Sequence, residues 1–119
     1  MSSRKVFMME LNNHPTGKKT RTVSRMILSP SCRTVGLIAE VNGHGISDVR
    51  LVFECDASDE SPEVLIEFEI VQNGSLVGED LVYVGSYFCH TRDENSHTIT
   101  YCHVYERTTR NVYERAARP

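Results

Sequence analysis

The chain has 119 residues, the usual size of a single domain, and 39% of them are hydrophobic, which suits a thin two-layer core. No apolar run approaches the roughly 20 residues that a membrane-spanning helix needs, and no apolar signal-peptide segment follows Arg4 and Lys5. The sequence therefore predicts a nuclear or cytoplasmic protein with no membrane partner, in which the four cysteines remain free thiols.

Charge is distributed unevenly along the chain. Residues 1–33 contain seven basic side chains and one acidic side chain. Residues 34–103 contain two basic and thirteen acidic side chains, and residues 104–119 contain four basic and two acidic ones. The segment charges are thus +6, −11 and +2, which sum to the net charge of −3. Segregation of this kind bears on the partners of a protein rather than on its fold.

An alternation of apolar and polar residues predicts seven strands. In chain order they cover residues 5–11, 21–28, 34–41, 48–55, 63–71, 81–89 and 98–106. Turn-forming sequences separate them, and the Asn42-Gly43 step favours a tight hairpin turn. The spacing predicts an all-β fold, an antiparallel sandwich or jelly-roll barrel of about seven or eight strands.

The clearest alternation lies at residues 63–71. The apolar members, which we expect in the core, are Val64, Ile66, Phe68 and Ile70. Glu63, Glu67 and Glu69 alternate with them, and we expect these three acids to face water. The preceding strand at 48–55 alternates in the same way, and the acidic loop 56–62 between the two predicts that they form a hairpin.

The C-terminal residues differ from the rest in composition. We predict that residues 1–106 form a single β domain and that residues 107–119 form a basic C-terminal tail. The tail is expected to be irregular or helical, and it is too short for a helix that is stable without docking.

Five strand segments carry a resemblance to a known family. They are residues 6–11, 23–28, 39–43, 65–69 and 81–88, and the last is an apolar run that leads into Gly85 and aromatic residues. Residues 5–90 thereby resemble the nucleoplasmin-like core domain, although the family's Trp-Gly in the first strand is absent and Ser29-Pro30 replaces its Leu-Gly. The resemblance implies an eight-stranded jelly roll that assembles into a ring and serves as a histone chaperone or nuclear scaffold.

The acidic middle of the chain predicts a surface for a basic partner. We expect a non-catalytic, self-associating interaction module that binds another copy of itself and a basic protein such as a histone. The candidate residues of this acidic surface are Asp56, Asp59, Glu60, Glu63, Glu67 and Glu69. No Gly-rich phosphate loop is present, and the sequence alone brings no nucleophile and base together, so we do not expect an enzyme.

The basic segments allow an alternative function, which is nucleic-acid binding. The candidate contacts are Lys18, Lys19, Arg21, Arg107, Arg110, Arg115 and Arg118. Nucleic-acid-binding domains usually show a dominant positive field, whereas this chain is acidic overall. We therefore expect the basic segments to pair with the acidic middle instead, within one protomer or between protomers.

A doubled Cys-His sequence suggests a third, more remote alternative, a zinc-stabilised domain. Its candidate ligands are Cys89, His90, His97, Cys102 and His103. Neighbouring residues on a strand point to opposite faces of a sheet, so each Cys-His pair would be divided between two faces. We therefore expect a hairpin with buried thiols on one face and polar imidazoles near its open end, and no metal or other cofactor.

Overall fold

The computed structural model describes residues 3–58 and 62–113. Within these residues there are eight strands and no helix. The strands are β1 (Arg4–Glu10), β2 (Arg21–Leu28), β3 (Arg33–Val41), β4 (Ser47–Asp56), β5 (Val64–Gln72), β6 (Leu81–Arg92), β7 (His97–Arg107) and β8 (Asn111–Val112). The all-β prediction is confirmed, and the first seven strands lie where the alternation of residues placed them.

The strands form two antiparallel sheets that pack as a sandwich. One sheet has three strands in the order β1-β4-β3, and the other has the order β2-β5-β7-β6 with β8 also paired to β5. The strand β8 pairs with Val64 and Leu65, while β7 pairs with the Phe68–Gln72 part of β5. The described part of the predicted tail is therefore joined to the sheet at Asn111–Val112, and it contains no helix.

The core lies between the inner faces of β4 and β5. The predicted inward residues of both strands are buried, namely Val49, Leu51, Phe53 and Cys55 in β4 and Val64, Ile66, Phe68 and Ile70 in β5. The rings of Phe53 and Phe68 meet edge to face, with centroids 6.0 Å apart. The two strands thus contribute the two halves of one hydrophobic layer.

The prediction that β4 and β5 form a hairpin is wrong. β4 pairs with β1 and β3, whereas β5 pairs with β2, β7 and β8, so the chain crosses from one sheet to the other between them. Both strands have one apolar face, and they bury these faces against each other instead of sharing backbone hydrogen bonds. The turn at Asn42-Gly43 does connect a hairpin, β3 with β4, and β6 with β7 form a second one.

The sheets approach each other closely where β3 lies beside β6. A Cβ atom placed on Gly85 of β6 would lie 3.3 Å from the Cβ of Leu37 in β3. The Ser47 hydroxyl donates to the carbonyl of Phe88 (3.0 Å) and accepts from the amide of His90 (2.6 Å). These bonds satisfy backbone groups on the outer edge of β6, which would otherwise remain unpaired.

Candidate functional site

The acids predicted to face water on β5 are partly buried. Glu67 and Glu69 do lie on the outer face of the five-stranded sheet, as their alternation with the core residues requires. However, Glu69 is only 5% exposed, so the expectation that it is solvated is wrong. Neighbouring strands carry long arginine side chains on the same face, and these cover it.

Three arginines hold these two carboxylates. Glu69 accepts from Arg21 of β2 at 3.0 Å and from Arg107 of β7 at 2.6 Å. Glu67 accepts from Arg25 at 3.2 Å and from Arg107 at 3.3 Å. Arg107 therefore bridges both acids, and the basic residues of β2 and β7 neutralise the acidic face of β5 within one protomer.

The six acids of the predicted surface do not form one patch among the described residues. Asp56 ends β4 and lies opposite Arg4 in the three-stranded sheet, whereas Glu67 and Glu69 belong to the other sheet. Glu63 immediately precedes β5, and its carbonyl accepts from the amide of Tyr113. The remaining two, Asp59 and Glu60, lie outside the described residues.

Most of the described basic candidates are already engaged. Arg110 donates to the carbonyl of Cys32 at 2.5 Å and pairs with Glu106 at 3.1 Å, and Arg21 and Arg107 hold the acids of β5. Lys18 and Lys19 lie exposed in the loop between β1 and β2. Arg115 and Arg118 lie outside the described residues, so Lys18 and Lys19 are the two described candidates that are exposed and have no ion pair.

The candidate zinc ligands lie on two different faces of the β6–β7 hairpin. Cys89 and Cys102 are buried on the inner face, 2% and 0% exposed, while His90, His97 and His103 lie on the outer face. This division follows from the alternation of side chains along a strand. Within residues 3–58 and 62–113, no group of three or more cysteines, histidines or acids could hold a metal ion.

Burial also makes the thiols of this hairpin unreactive. Burial raises the pKa of Cys102 to about 11, and it raises the pKa of Cys89 as well. A thiol whose pKa is raised remains protonated at neutral pH, and it is the thiolate that attacks electrophiles and binds metals. These cysteines therefore act as small apolar core residues.

The outer face of the β6–β7 hairpin carries an aromatic patch that the order of residues alone does not reveal. Tyr83, Phe88, Ile99 and Tyr101 are between 40% and 58% exposed. The rings of Phe88 and Tyr101 stack with centroids 4.7 Å apart, and those of Tyr83 and Tyr105 meet edge to face at 5.5 Å. The alternation in each strand indicated outward residues, but the β6–β7 register was needed to place them side by side.

Hydroxyl, imidazole and amide groups form a chain beside this aromatic patch. The Ser86 Oγ lies 2.6 Å from Nδ1 of His103 and 2.5 Å from the hydroxyl of Tyr83. The Nε2 of the same imidazole lies 3.1 Å from Oδ1 of Asn73, in the turn after β5. Ser86 and His103 are directly opposed across the hairpin, so this pairing depends on register and not on sequence spacing.

The outer face of the three-stranded sheet carries a different patch, made of aliphatic residues. Val6 and Met8 of β1 and Ile38 of β3 are between 42% and 66% exposed, and Val52 of β4 lies on the same face. We call these four residues the aliphatic stripe. None of them has a polar group that could take part in chemistry, so the stripe is suited only to contact with another apolar surface.

Comparison with known proteins gives no relative from which a function could be transferred. No family model matches the chain, and no curated protein or solved structure matches it either. The resemblance to the nucleoplasmin-like core therefore stays a prediction. Among the described residues, no helix is long and apolar enough to cross a membrane.

Proposed function

We propose that this chain is a protein-interaction module that self-associates through the outer face of its three-stranded sheet. The observation that carries the proposal is the aliphatic stripe, which crosses all three strands and leaves Val6 66% exposed. Apolar side chains in water favour association because burial removes their surface from solvent. The four cysteines are buried free thiols, which supports a reducing compartment, the nucleus or the cytoplasm.

The residues around the stripe favour a second copy of the same chain as the partner. The outward residues at one end of the sheet are Arg4, Arg33, Glu54 and Asp56, and those at the other end are Glu10, Glu40, Asp48 and Arg50. Arg4 and Arg33 share the carboxylate of Glu54, at 2.8 Å and 3.5 Å. The opposite end has an excess of acids, so a two-fold axis that lies in the interface and crosses the strands would bring those acids over Arg4 and Arg33, which have only one carboxylate between them.

The size of this face predicts a weak dimer. Three strands about 4.8 Å apart, each with about seven residues at 3.3 Å per residue, cover roughly 14 by 23 Å. A standard interface buries about 800 Å² of each partner, and this face is smaller. We therefore expect a concentration-dependent dimer with a dissociation constant on the order of micromolar.

The internal ion pairs make both charge-based functions less favourable than self-association. Glu67 and Glu69 would have to release Arg21, Arg25 and Arg107 before they could bind a basic protein. A nucleic acid would have to compete with the same carboxylates for Arg21 and Arg107. Surface charges that are already paired contribute little to the affinity for a further partner. The aliphatic stripe, in contrast, has no partner within the described chain.

Light scattering across a range of protein concentrations tests the proposal, with Met8→Lys as the disrupting variant. The natural chain should double its mass as concentration rises, and Met8→Lys should remain a monomer because an ammonium group would be buried in the stripe. The matched control is Ile99→Lys, which adds the same charge to the aromatic patch on the opposite sheet at a similarly exposed position.

The control also identifies the surface that is used. A natural chain that stays monomeric at every concentration would contradict the proposal. Loss of the dimer in Ile99→Lys together with retention in Met8→Lys would also contradict it, because the interface would then be the aromatic patch. Circular dichroism of each variant verifies that the β structure is intact.

A further inference from the structure

With a neutral imidazole at His103, the hydrogen bonds at Ser86 have one consistent set of proton positions. The Oδ1 of Asn73 can only accept, so the Nε2 of His103, 3.1 Å away, must carry a proton. A neutral imidazole has one such proton, which leaves its Nδ1 as an acceptor. The Ser86 hydroxyl therefore donates to Nδ1 at 2.6 Å, and the Tyr83 hydroxyl donates to Ser86 Oγ at 2.5 Å.

This arrangement places an activated hydroxyl on the surface. A serine becomes a nucleophile when a neighbouring base can accept its proton and a third group holds that base in the required tautomer. We propose that Ser86 is an acyl-accepting nucleophile, that His103 is its general base, and that Asn73 is the positioning residue for the imidazole. The site lies on the five-stranded sheet, so it is separate from the proposed dimer face.

The reaction that this geometry supports is acyl transfer from an ester. The Ser86 oxygen attacks the carbonyl carbon and forms a new C–O bond while its proton passes to Nδ1 of His103. The tetrahedral adduct then breaks its bond to the leaving alkoxide or phenoxide, which takes the proton from the imidazolium. Water attacks the acyl-serine in the second half-reaction, again giving its proton to His103, and the carboxylic acid is released as the serine hydroxyl re-forms.

Tyr83 supplies the remaining requirement, a donor for the oxyanion. Its hydroxyl already donates to the Ser86 oxygen, and in the adduct the oxyanion and that oxygen are bonded to the same carbon. A small rotation of the tyrosine hydroxyl would therefore transfer its hydrogen bond to the oxyanion. Tyrosine hydroxyls serve this purpose in known oxyanion holes.

The surroundings favour an acyl compound with an aromatic leaving group. Ser86 and Phe88 line an open groove of about 380 Å³ between β6 and β3. Tyr83, Phe88 and Tyr101 present exposed rings beside the serine, and aromatic rings stack well on one another. An open groove excludes little water, so good leaving groups such as phenols suit the site better than amides do.

Acetylation by p-nitrophenyl acetate tests the proposal. The release of p-nitrophenolate gives the rate, and mass spectrometry of the digested protein gives the fraction of Ser86 that carries an acetyl group. We expect Ser86 to be acetylated in the natural chain, and His103→Gln to reduce its acetylation rate by about 100-fold, the lower end of the contribution of a general base. The matched control is His97→Gln, which removes an imidazole of the same face that contacts His90 and not Ser86.

Asn73 is tested by a pair of variants in the exposed turn, where neither substitution disturbs the sheet. Asn73→Ala should lower the rate of Ser86 acetylation about 10-fold because the imidazole loses its orientation, and Asn73→Asp should restore it because a carboxylate also accepts from Nε2. This pair decides the proposal even if His103→Gln does not fold.

Two results would overturn the proposal. One is acetylation confined to lysines, tyrosines or the other histidines, with Ser86 unmodified. The other is a rate of Ser86 acetylation that is the same in the natural chain, His103→Gln and Asn73→Ala. Neither result would bear on self-association, because the dimer test measures mass and uses the opposite sheet.

Discussion

At the scale of single residues, Glu69 is the clearest example of a side chain whose surroundings determine its behaviour. It lies on the solvent side of β5, yet Arg21 and Arg107 cover it from the strands on either side. An ionised carboxylate in such a place is stable only while its charged hydrogen bonds remain, since burial removes its water.

We therefore expect Glu69→Gln to lower the free energy of unfolding by about 1–3 kcal/mol. This is less than the loss for a fully buried ion pair, because the arginine side chains are 32% to 40% exposed. Glu67→Gln is the matched control, since Glu67 is more exposed and should lose under about 1 kcal/mol. Urea denaturation at low salt measures the free energy of unfolding of both variants. Equal decreases in the two variants would show that the burial of Glu69 does not strengthen its ion pairs.

At the scale of strands, β6 has an irregularity that lets the two sheets approach. The register of β6 against β7 shifts between Tyr83 and Gly85, and Gly85 then lies against Leu37 of the other sheet. A second shift occurs in β3 between Thr34 and Gly36, where a Cβ atom would meet nothing within 4 Å. Glycine thus occurs at both bulges, but only at Gly85 does close packing against the other sheet leave little room for a side chain.

This difference predicts opposite effects of the same substitution. Gly85→Ala should lower the free energy of unfolding by about 1 kcal/mol, because the new methyl group pushes against the Cβ of Leu37, which is fixed to the β3 backbone. Gly36→Ala should be neutral or stabilising by up to about 1 kcal/mol, since it reduces the entropy of the unfolded chain. Thermal unfolding of both variants measures the difference, and an unchanged midpoint in Gly85→Ala would show that the sheets separate there without cost.

At the scale of the whole molecule, all four cysteines report on the integrity of the sandwich. Cys32, Cys55, Cys89 and Cys102 are free and at most 3% exposed, and they come from both sheets and the loop before β3. No single loop movement can expose all of them. Reaction of all four thiols with a reagent therefore requires that the sheets come apart.

We expect Ellman's reagent to label none of the four thiols rapidly in the native protein and all four in urea. At urea concentrations below the unfolding transition, the slow rate of thiol labelling should rise as urea is added, because labelling follows opening of the sandwich. Ser96→Cys, in the exposed loop between β6 and β7, is the positive control and should react at once. Rapid labelling of a native thiol in the natural chain would contradict the burial of all four.

Local sequence pattern determined the strands and the faces that they bury. Phe53 and Phe68 could be assigned to the core because side chains alternate along a strand with a period of two, which depends only on local backbone geometry. The same rule separated the thiols of Cys89 and Cys102 from the imidazoles that follow them. The positions of β1 to β7 were predictable for this reason.

The neighbours of each strand, and the outward side chains that meet, depend on how the whole chain packs. β4 and β5 were predicted to form a hairpin. An alternating pattern shows that a strand has one apolar face, but it does not determine whether the next strand pairs beside it or lies in the facing sheet. Glu69 meets its arginines, and Ser86 meets His103, through the register of strands that are distant in sequence. Register arises from the packing of the whole core, so the candidate sites could not be derived from residue order alone.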